Sequence, residues 1–359
     1  MYSDFDFEKV YLMLGEACDF KCRHCLQQPF HNHLEKTASE KLIKYLQHLA
    51  DLKPRFTPTG PKRLSIIFFG GEPLLYMKAI KDVVARINRE NVDFSLVSNG
   101  NALTQEMVDF FNEHDIHFAV SNDGPLTDKV RDRNVFEDEK FLALFKQLNS
   151  KSVCATLHAH NQDLYALWGY VNEKVGDVPL AYEFLTHTWQ MPEDIYDYDL
   201  VAWKGTMDSV VNNLMHHLST ETTKCREAEF MSKLMGCLEQ FQRGKARFPR
   251  CRAYRQNINL DLEGNHYLCH NGMEKFSDCS KEGAKVAKEA EVKFIDLRNK
   301  HNKACADCSA LPVCQEGCPF SPSSEGQDIQ CEFTRIMAEA VYKFVRLSEA
   351  FYQTEIDFE

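Results

Sequence analysis

Three of the chain's fourteen cysteines fall within "CDFKCRHC". Cys18, Cys22 and Cys25 are spaced C-x3-C-x2-C, directly after a strand-like run, "KVYLMLG" (9–15). Three thiolates this close can cap three irons of a [4Fe–4S] cube and leave the fourth iron a position for an outside ligand, whereas ordinary cubanes take four cysteines. Structural zinc prefers four protein ligands in paired C-x2-C knuckles. A trio of buried structural cysteines is the plainest alternative. A second set runs from Cys251 and Cys269 to Cys305, Cys308, Cys314, Cys318 and Cys331. Taken alone, its C-x2-C-x5-C-x3-C core also suits a pair of zinc knuckles. A disulfide framework fits poorly, because such frameworks belong to short secreted chains and this one has 359 residues.

The elements that must hold these thiols follow from periodicity. After 9–15 come apolar runs at 64–70, 93–98, 117–121, 152–157 and 180–185. Helix-period stretches separate them. "SEKLIKYLQHLADL" (39–52), for example, sets Leu42, Ile43, Leu46 and Leu49 on one stripe. Six βα units imply a parallel sheet wound in one sense, either an open barrel or a doubly wound sheet. Chemistry-bearing residues follow successive strands. Gly70-Gly71-Glu72-Pro73 follows the second, Ser98-Asn99-Gly100 the third, and Ser121 to Pro125 the fourth, with Asp128 and Arg131 beyond. Each motif alone is an ordinary turn. Asn161 follows the fifth strand as a loop asparagine. From about residue 203 the pattern changes to two helices, near 204–219 and 226–243. A hairpin then turns at Glu263-Gly264-Asn265, a loop-rich cysteine-rich segment covers 269–331, and a final amphipathic helix closes the chain.

The net charge of −11 and the absence of a basic patch argue against nucleic acid and anionic membranes. No leader and no run of about 18 apolar residues is present, so a cytoplasmic protein is expected.

Taken together, these motifs resemble the radical S-adenosylmethionine (SAM) enzymes with a C-terminal SPASM extension. The resemblance implies an α/β fold, a partial (β/α)6 TIM-like barrel over residues 1–215 and a SPASM domain over 216–359. It implies SAM on the open iron of the cluster held by Cys18, Cys22 and Cys25. Family members often carry an aromatic residue where His24 stands. Gly70, Gly71, Glu72 and Pro73 resemble the motif that meets the SAM amino group; there, glycines let a backbone approach a ligand and a carboxylate suits an ammonium. Ser98, Asn99, Ser121, Asp123 and Arg131 resemble the segments that contact ribose and carboxylate.

The extension implies two auxiliary [4Fe–4S] clusters. One is held by Cys251, Cys269 and Cys318, with Cys237 as fourth ligand or an open site. The other is held by Cys305, Cys308, Cys314 and Cys331. SPASM enzymes mostly modify peptides, so the expected product is an intrapeptide thioether or carbon–carbon cross-link in a ribosomal peptide. Formylglycine formation and epimerisation are the alternatives, and a non-enzymatic iron–sulfur or zinc scaffold is a reading of another class. In anaerobic sulfatase-maturating enzymes an aspartate, the proposed base, follows the cysteine matching Cys269; here His270 stands there, as a base or as a surface turn histidine. Cys18 stands too near the start for a preceding leader-binding domain. Leader recognition therefore falls to a separate protein or to the SPASM surface, and a flavodoxin or ferredoxin fits as electron donor. Cys154 reads as core and Cys279 as exposed; either suits the radical-quenching cysteine of an epimerase.

Overall fold

The computed structural model describes residues 7–27, 37–53, 63–87, 89–185, 192–220, 225–242, 253–254, 256–301, 305, 307–315, 317–318 and 326–356. Cys251 lies outside them.

Six strands come first in the chain: β1 (Lys9–Met13), β2 (Leu64–Phe69), β3 (Val92–Ser98), β4 (His117–Ser121), β5 (Lys151–Leu157) and β6 (Leu180–Phe184). Each is followed by a helix: α1 (Glu40–Asp51), α2 (Met77–Ile87), α3 (Gln105–Glu113), α4 (Glu139–Gln147), α5 (Leu164–Val175) and α6 (Leu200–Ser219). Polar caps set several helix starts. Ser39 accepts from the Leu42 N–H, Thr104 from Met107, Asp138 from Lys140 and Phe141, and Asp163 from Ala166. All neighbours among the six strands pair in parallel, in the sequential order β6-β5-β4-β3-β2-β1. A doubly wound sheet would reverse order partway. The unbroken order is that of a partial barrel.

Alternation along the strands divides the sheet into two faces. Val10, Leu12, Ile66, Phe68, Leu96, Phe118, Val153 and Ala155 are fully buried in the core with the helices. Tyr11, Phe69, Ser121, Cys154 and Thr156 occupy the other face and stay half-buried. Cys154 is therefore not packed in the helix-side core expected of it, because its place in the β5 alternation turns it to the opposite face.

The hairpin departs from expectation in an informative way. β7 (Asn257–Asp261) adds to the open edge of β1 in parallel, Tyr11 opposite Asn259, and β8 (Asn265–Cys269) returns antiparallel to it. Gly264, at φ +77°, makes the turn between them. One nine-stranded sheet thus carries Cys269 on the same framework as Cys18, with β9 (Gly272–Asp278) at its edge.

The stretch 269–331 is not simply loop-rich, since it contains β9 and α8 (Gly283–His301). The buried stripe of α8 consists of Val286, Ala287, Ala290 and Phe294, too small and sparse to stand out among its charges. α7 (Arg226–Gln242), α9 (Leu311–Cys314) and α10 (Gly326–Ile356) complete the chain. On α10, Phe333 stacks on Trp203 of α6 at 4.3 Å, and the Trp203 indole donates to the Phe333 carbonyl at 3.2 Å. Burying each such ring contributes roughly 1.5–3 kcal/mol. α6 runs from Leu200 to Ser219, so residue 215 lies inside a helix.

Candidate active site

The loop after β1 carries Cys18, Cys22 and Cys25, and its neighbours hold its backbone directly. The N–H of Gly71 donates to the Gly15 carbonyl at 2.9 Å, that of Glu72 donates to the Ala17 carbonyl at 2.8 Å, and that of Ala17 donates to the Tyr76 hydroxyl at 2.8 Å. A Cβ at Gly71 would fall well under 3.0 Å from the Ala17 carbonyl, and one at Gly15 would strike the Tyr76 ring. The glycines of "GGEP" are thus required first for close packing against the cysteine loop. Gly71→Ala should overpack this contact by about 2–3 kcal/mol. The expected result is a lower thermal midpoint and less iron retained per chain; a variant matching wild type on both would contradict the packing role.

Glu72 is tied into the same turn. Its carboxylate is buried and accepts from the Leu74 N–H (2.9 Å), the Ser98 hydroxyl (2.7 Å) and the Asn99 N–H (2.8 Å). Burial pushes its pKa up to about 7, against the pull of those donors. The carboxylate thus ties the turn after β2 to the end of β3. The 3-10 turn at Pro73–Tyr76 begins there. Asn99 donates from Nδ2 to Asp19 Oδ1 at 2.7 Å, and the same atom lies 3.9 Å from the Cys18 sulfur.

Beyond β4, Asp123 is fully buried and grips Arg131: Nε lies 2.6 Å from Oδ2 and Nη2 lies 3.1 Å from Oδ1. The Thr156 N–H donates to the same carboxylate at 2.8 Å, and His158 Nε2 lies 3.7 Å away. The guanidinium holds the Asp123 carboxyl below its ordinary range, against burial. Asn161 is a fastener, donating to the Thr156 and Asp123 carbonyls and accepting from the His158 N–H. Ser121 ends β4 opposite Cys154.

Burial pushes the thiol of Cys18 up to about 12, pushes that of Cys22 to about 11 against the pull of Arg131, and raises that of Cys25. Such thiols ionise only against compensating positive charge, as bound iron provides. Among the described residues, the one ligand trio with every atom within 4.8 Å is elsewhere, at His217, Cys225 and Glu227. At least one of the three separations among the Cys18, Cys22 and Cys25 sulfurs therefore exceeds 4.8 Å, beyond the roughly 3.8 Å between sulfurs on one tetrahedral zinc. This fits the wider corners of an iron–sulfur cube. The Nδ1 of His24, beside Cys25, is buried without a hydrogen-bond partner, and burial lowers its pKa to about 3.

Cys269 ends β8, and His270 follows it. His270 lies in the turn between β8 and β9 and is half-buried. Its ring stacks on Tyr11 at 4.5 Å and 12°, and meets the Phe69 ring edge-on at 4.5 Å. Burial lowers its pKa to about 4. Gln27 donates to the His270 carbonyl at 3.1 Å, tying the end of β8 to the cysteine loop. Cys308 donates its N–H to the Cys305 carbonyl, and Arg335 of α10 hydrogen-bonds Cys308 beside Cys331. Cys314 ends α9; Gln315, left-handed at φ 52°, follows it and donates to the Cys237 carbonyl at 2.8 Å. Cys237 is buried on α7 next to the Cys314–Cys318 turn. Cys279, expected exposed, is half-buried with its sulfur 3.9 Å from His266. Tyr76, Gly15 and His158 escaped the sequence reading. For His158 the signal was available: it follows β5 as the other motifs follow their strands.

A parallel barrel with a three-thiol loop at the carboxyl end of its first strand, and further thiols on the continued sheet, is the arrangement an iron–sulfur enzyme would require. Residues 9–137 match the family model described as a 4Fe-4S single cluster domain. The radical SAM cyclopropyl synthase TigE of Paramaledivibacter caminithermalis is 24% identical over 130 residues, 32% of this chain and 27% of that protein, so the chain matches only about a quarter of its length. The serine-type anaerobic sulfatase-maturating enzyme of Klebsiella aerogenes is 20% identical over 351 residues, 89% of this chain and 81% of that one. The solved structure of native anSMEcpe with bound AdoMet and the Cp18Cys peptide superposes with TM-score 0.68 at 16% identity, covering 97% of this chain and 99% of that one. The chain is thus similar in sequence to radical SAM and sulfatase-maturating enzymes, carries a match to a 4Fe-4S domain over residues 9–137, and shares the fold of the anSMEcpe structure. Among the described residues, no helix is long and apolar enough to cross a membrane.

Proposed function

We propose that the chain is a peptide maturase that closes an intrapeptide cross-link, thioether or carbon–carbon. When bound, the first cluster and SAM supply a 5′-deoxyadenosyl radical that takes a hydrogen atom from the peptide. Cys18, Cys22 and Cys25 would hold that cluster, and Arg131, oriented by Asp123, would set the charge beside it. The turn 70–73 with Ser98, Asn99 and Ser121 would frame SAM. Cys305, Cys308, Cys314 and Cys331 would hold one auxiliary cluster, and Cys251, Cys269 and Cys318 another, with Cys237 as fourth ligand or a site left open to substrate. The walls exclude water from a reactive radical.

The observation that carries the cross-link reading is the setting of His270. Where a sulfatase maturase would offer a carboxylate, this chain holds an imidazole between Tyr11 and Phe69. The neutral imidazole can take the proton released as the ring closes, as a weaker base than an exposed histidine, and an auxiliary cluster would take the remaining electron. Formylglycine formation is the second reading, favoured by the alignment with sulfatase-maturating enzymes over 89% of the chain. A separate leader-binding protein and a flavodoxin or ferredoxin donor complete the proposed system.

Anaerobic co-expression with a short peptide encoded beside the gene, followed by mass spectrometry, tests this. Loss of two hydrogens with fragment ions missing between two residues supports the cross-link. The same mass loss with full fragmentation and a reactive aldehyde supports formylglycine. Unchanged mass with one deuterium gained in heavy water supports epimerisation. With the peptide in hand, His270→Ala should lower modified peptide per SAM cleaved by about 100-fold. An unchanged ratio would reduce His270 to a packing group.

A further inference from the structure

The ends of α6 and α7 bring together three metal-ligating side chains outside the cysteine pattern. His217 lies in the last turn of α6, Cys225 directly precedes α7, and Glu227 lies in its first turn. Their ligand atoms all lie within 4.8 Å of one another. We propose that His217, Cys225 and Glu227 bind one zinc ion, with a fourth position for water, and so fasten α6 to α7.

The carboxylate is the strongest argument. Glu227 is 7% exposed, and among the described residues its one ion-pair partner is His217, with Nε2 3.9 Å from Oε2. That distance is too long for a hydrogen bond. It is close to the roughly 3.4 Å that separates nitrogen and oxygen ligands on a tetrahedral zinc, so a small inward movement completes the geometry. A buried carboxylate without a cation is costly, and a divalent ion supplies one. The other oxygen is already oriented: Asn213 Nδ2 lies 3.2 Å from Glu227 Oε1 and 2.8 Å from the Tyr165 hydroxyl. Such outer hydrogen bonds are typical around metal-bound carboxylates. One thiolate, one imidazole and one carboxylate form a mixed donor set that zinc accepts and an iron–sulfur cube would not select. Cys225 is half-buried, hydrogen-bonds to Glu227 and has no counterpart in the seven-cysteine spacing.

The test uses reconstituted holoenzyme, given about one equivalent of zinc sulfate and then gel-filtered. Zinc, iron and sulfide are counted, and the zinc K-edge absorption is recorded. The expected result is about one zinc per chain with iron unchanged, and a shell of one sulfur near about 2.3 Å with nitrogen and oxygen near about 2.0–2.1 Å. His217→Gln and Cys225→Ser should each lower retained zinc at least about tenfold with iron content unchanged. No retained zinc, a sulfur-only shell or equal retention by both variants would overturn the site. Should either variant fold poorly, the zinc shell of the unaltered enzyme decides alone.

Discussion

Cys22→Ala will stop reductive SAM cleavage. Losing an outer-sphere partner of a metal ligand costs about 10–100-fold, and losing the ligand itself must exceed that, so 5′-deoxyadenosine should fall by more than about 100-fold. The geometry leaves no substitute: beside Cys22 the Lys21 N–H donates to Asp132 Oδ2 at 2.6 Å and the Arg23 N–H to the Val130 carbonyl at 2.8 Å, and the neighbouring carboxylates Asp19 and Glu72 are already hydrogen-bonded to Asn99 and its surroundings. Cys308→Ala is the matching contrast. It strikes a thiol held by Arg335 on the C-terminal part of the chain, and should spare uncoupled SAM cleavage while abolishing peptide turnover. Both activities are read by chromatography of the nucleoside and mass spectrometry of the peptide. Full nucleoside production by Cys22→Ala would remove the assignment of the first cluster. Equal loss of both activities in a folded, iron-loaded Cys308→Ala would remove the division of labour between clusters.

Much of this site is legible in sequence because its residues sit at strand ends, and strand ends are where apolar alternation stops. Six runs of period two mark where ligand-contacting turns must begin, and the motifs at 70–73, 98–100 and 121–125 fall there. What escapes is contact between distant backbones. That Gly71 is required by Ala17, or that Tyr76 receives the Ala17 N–H, depends on how β1 and β2 pair and leaves no local trace. The three donors that converge on Glu72 are equally invisible in sequence, because two of them come from the end of β3. β7 looked like half of a free hairpin because pairing with β1, about 250 residues earlier, is invisible to periodicity. That pairing brings Cys269 and His270 to the mouth of the barrel. It also explains why His270, which reads as a turn residue, is enclosed between Tyr11 of β1 and Phe69 of β2.

Asp123→Ala should be among the most destabilising single changes in the chain. It removes the partner of a guanidinium whose side chain is 9% exposed, and it strips acceptors from the Thr156 N–H and the neighbouring His158. A buried charge left alone in this way costs about 3–5 kcal/mol. For a chain of this size that corresponds to a fall of about 4–7 °C in the apparent midpoint at fixed scan rate. The double variant Asp123→Ala/Arg131→Met separates charge from packing. If the penalty is the stranded guanidinium, removing it should recover most of the loss, because apolar replacements of a buried pair are often neutral or stabilising. The recovered protein should still fail to cleave SAM efficiently, since Arg131 is the positive group that favours ionisation of Cys22 and Cys25. Stability and chemistry would then respond to different halves of one ion pair. A double variant as unstable as the single one would place the cost in lost packing, and one that cleaved SAM at the wild-type rate would deny Arg131 any part in the site.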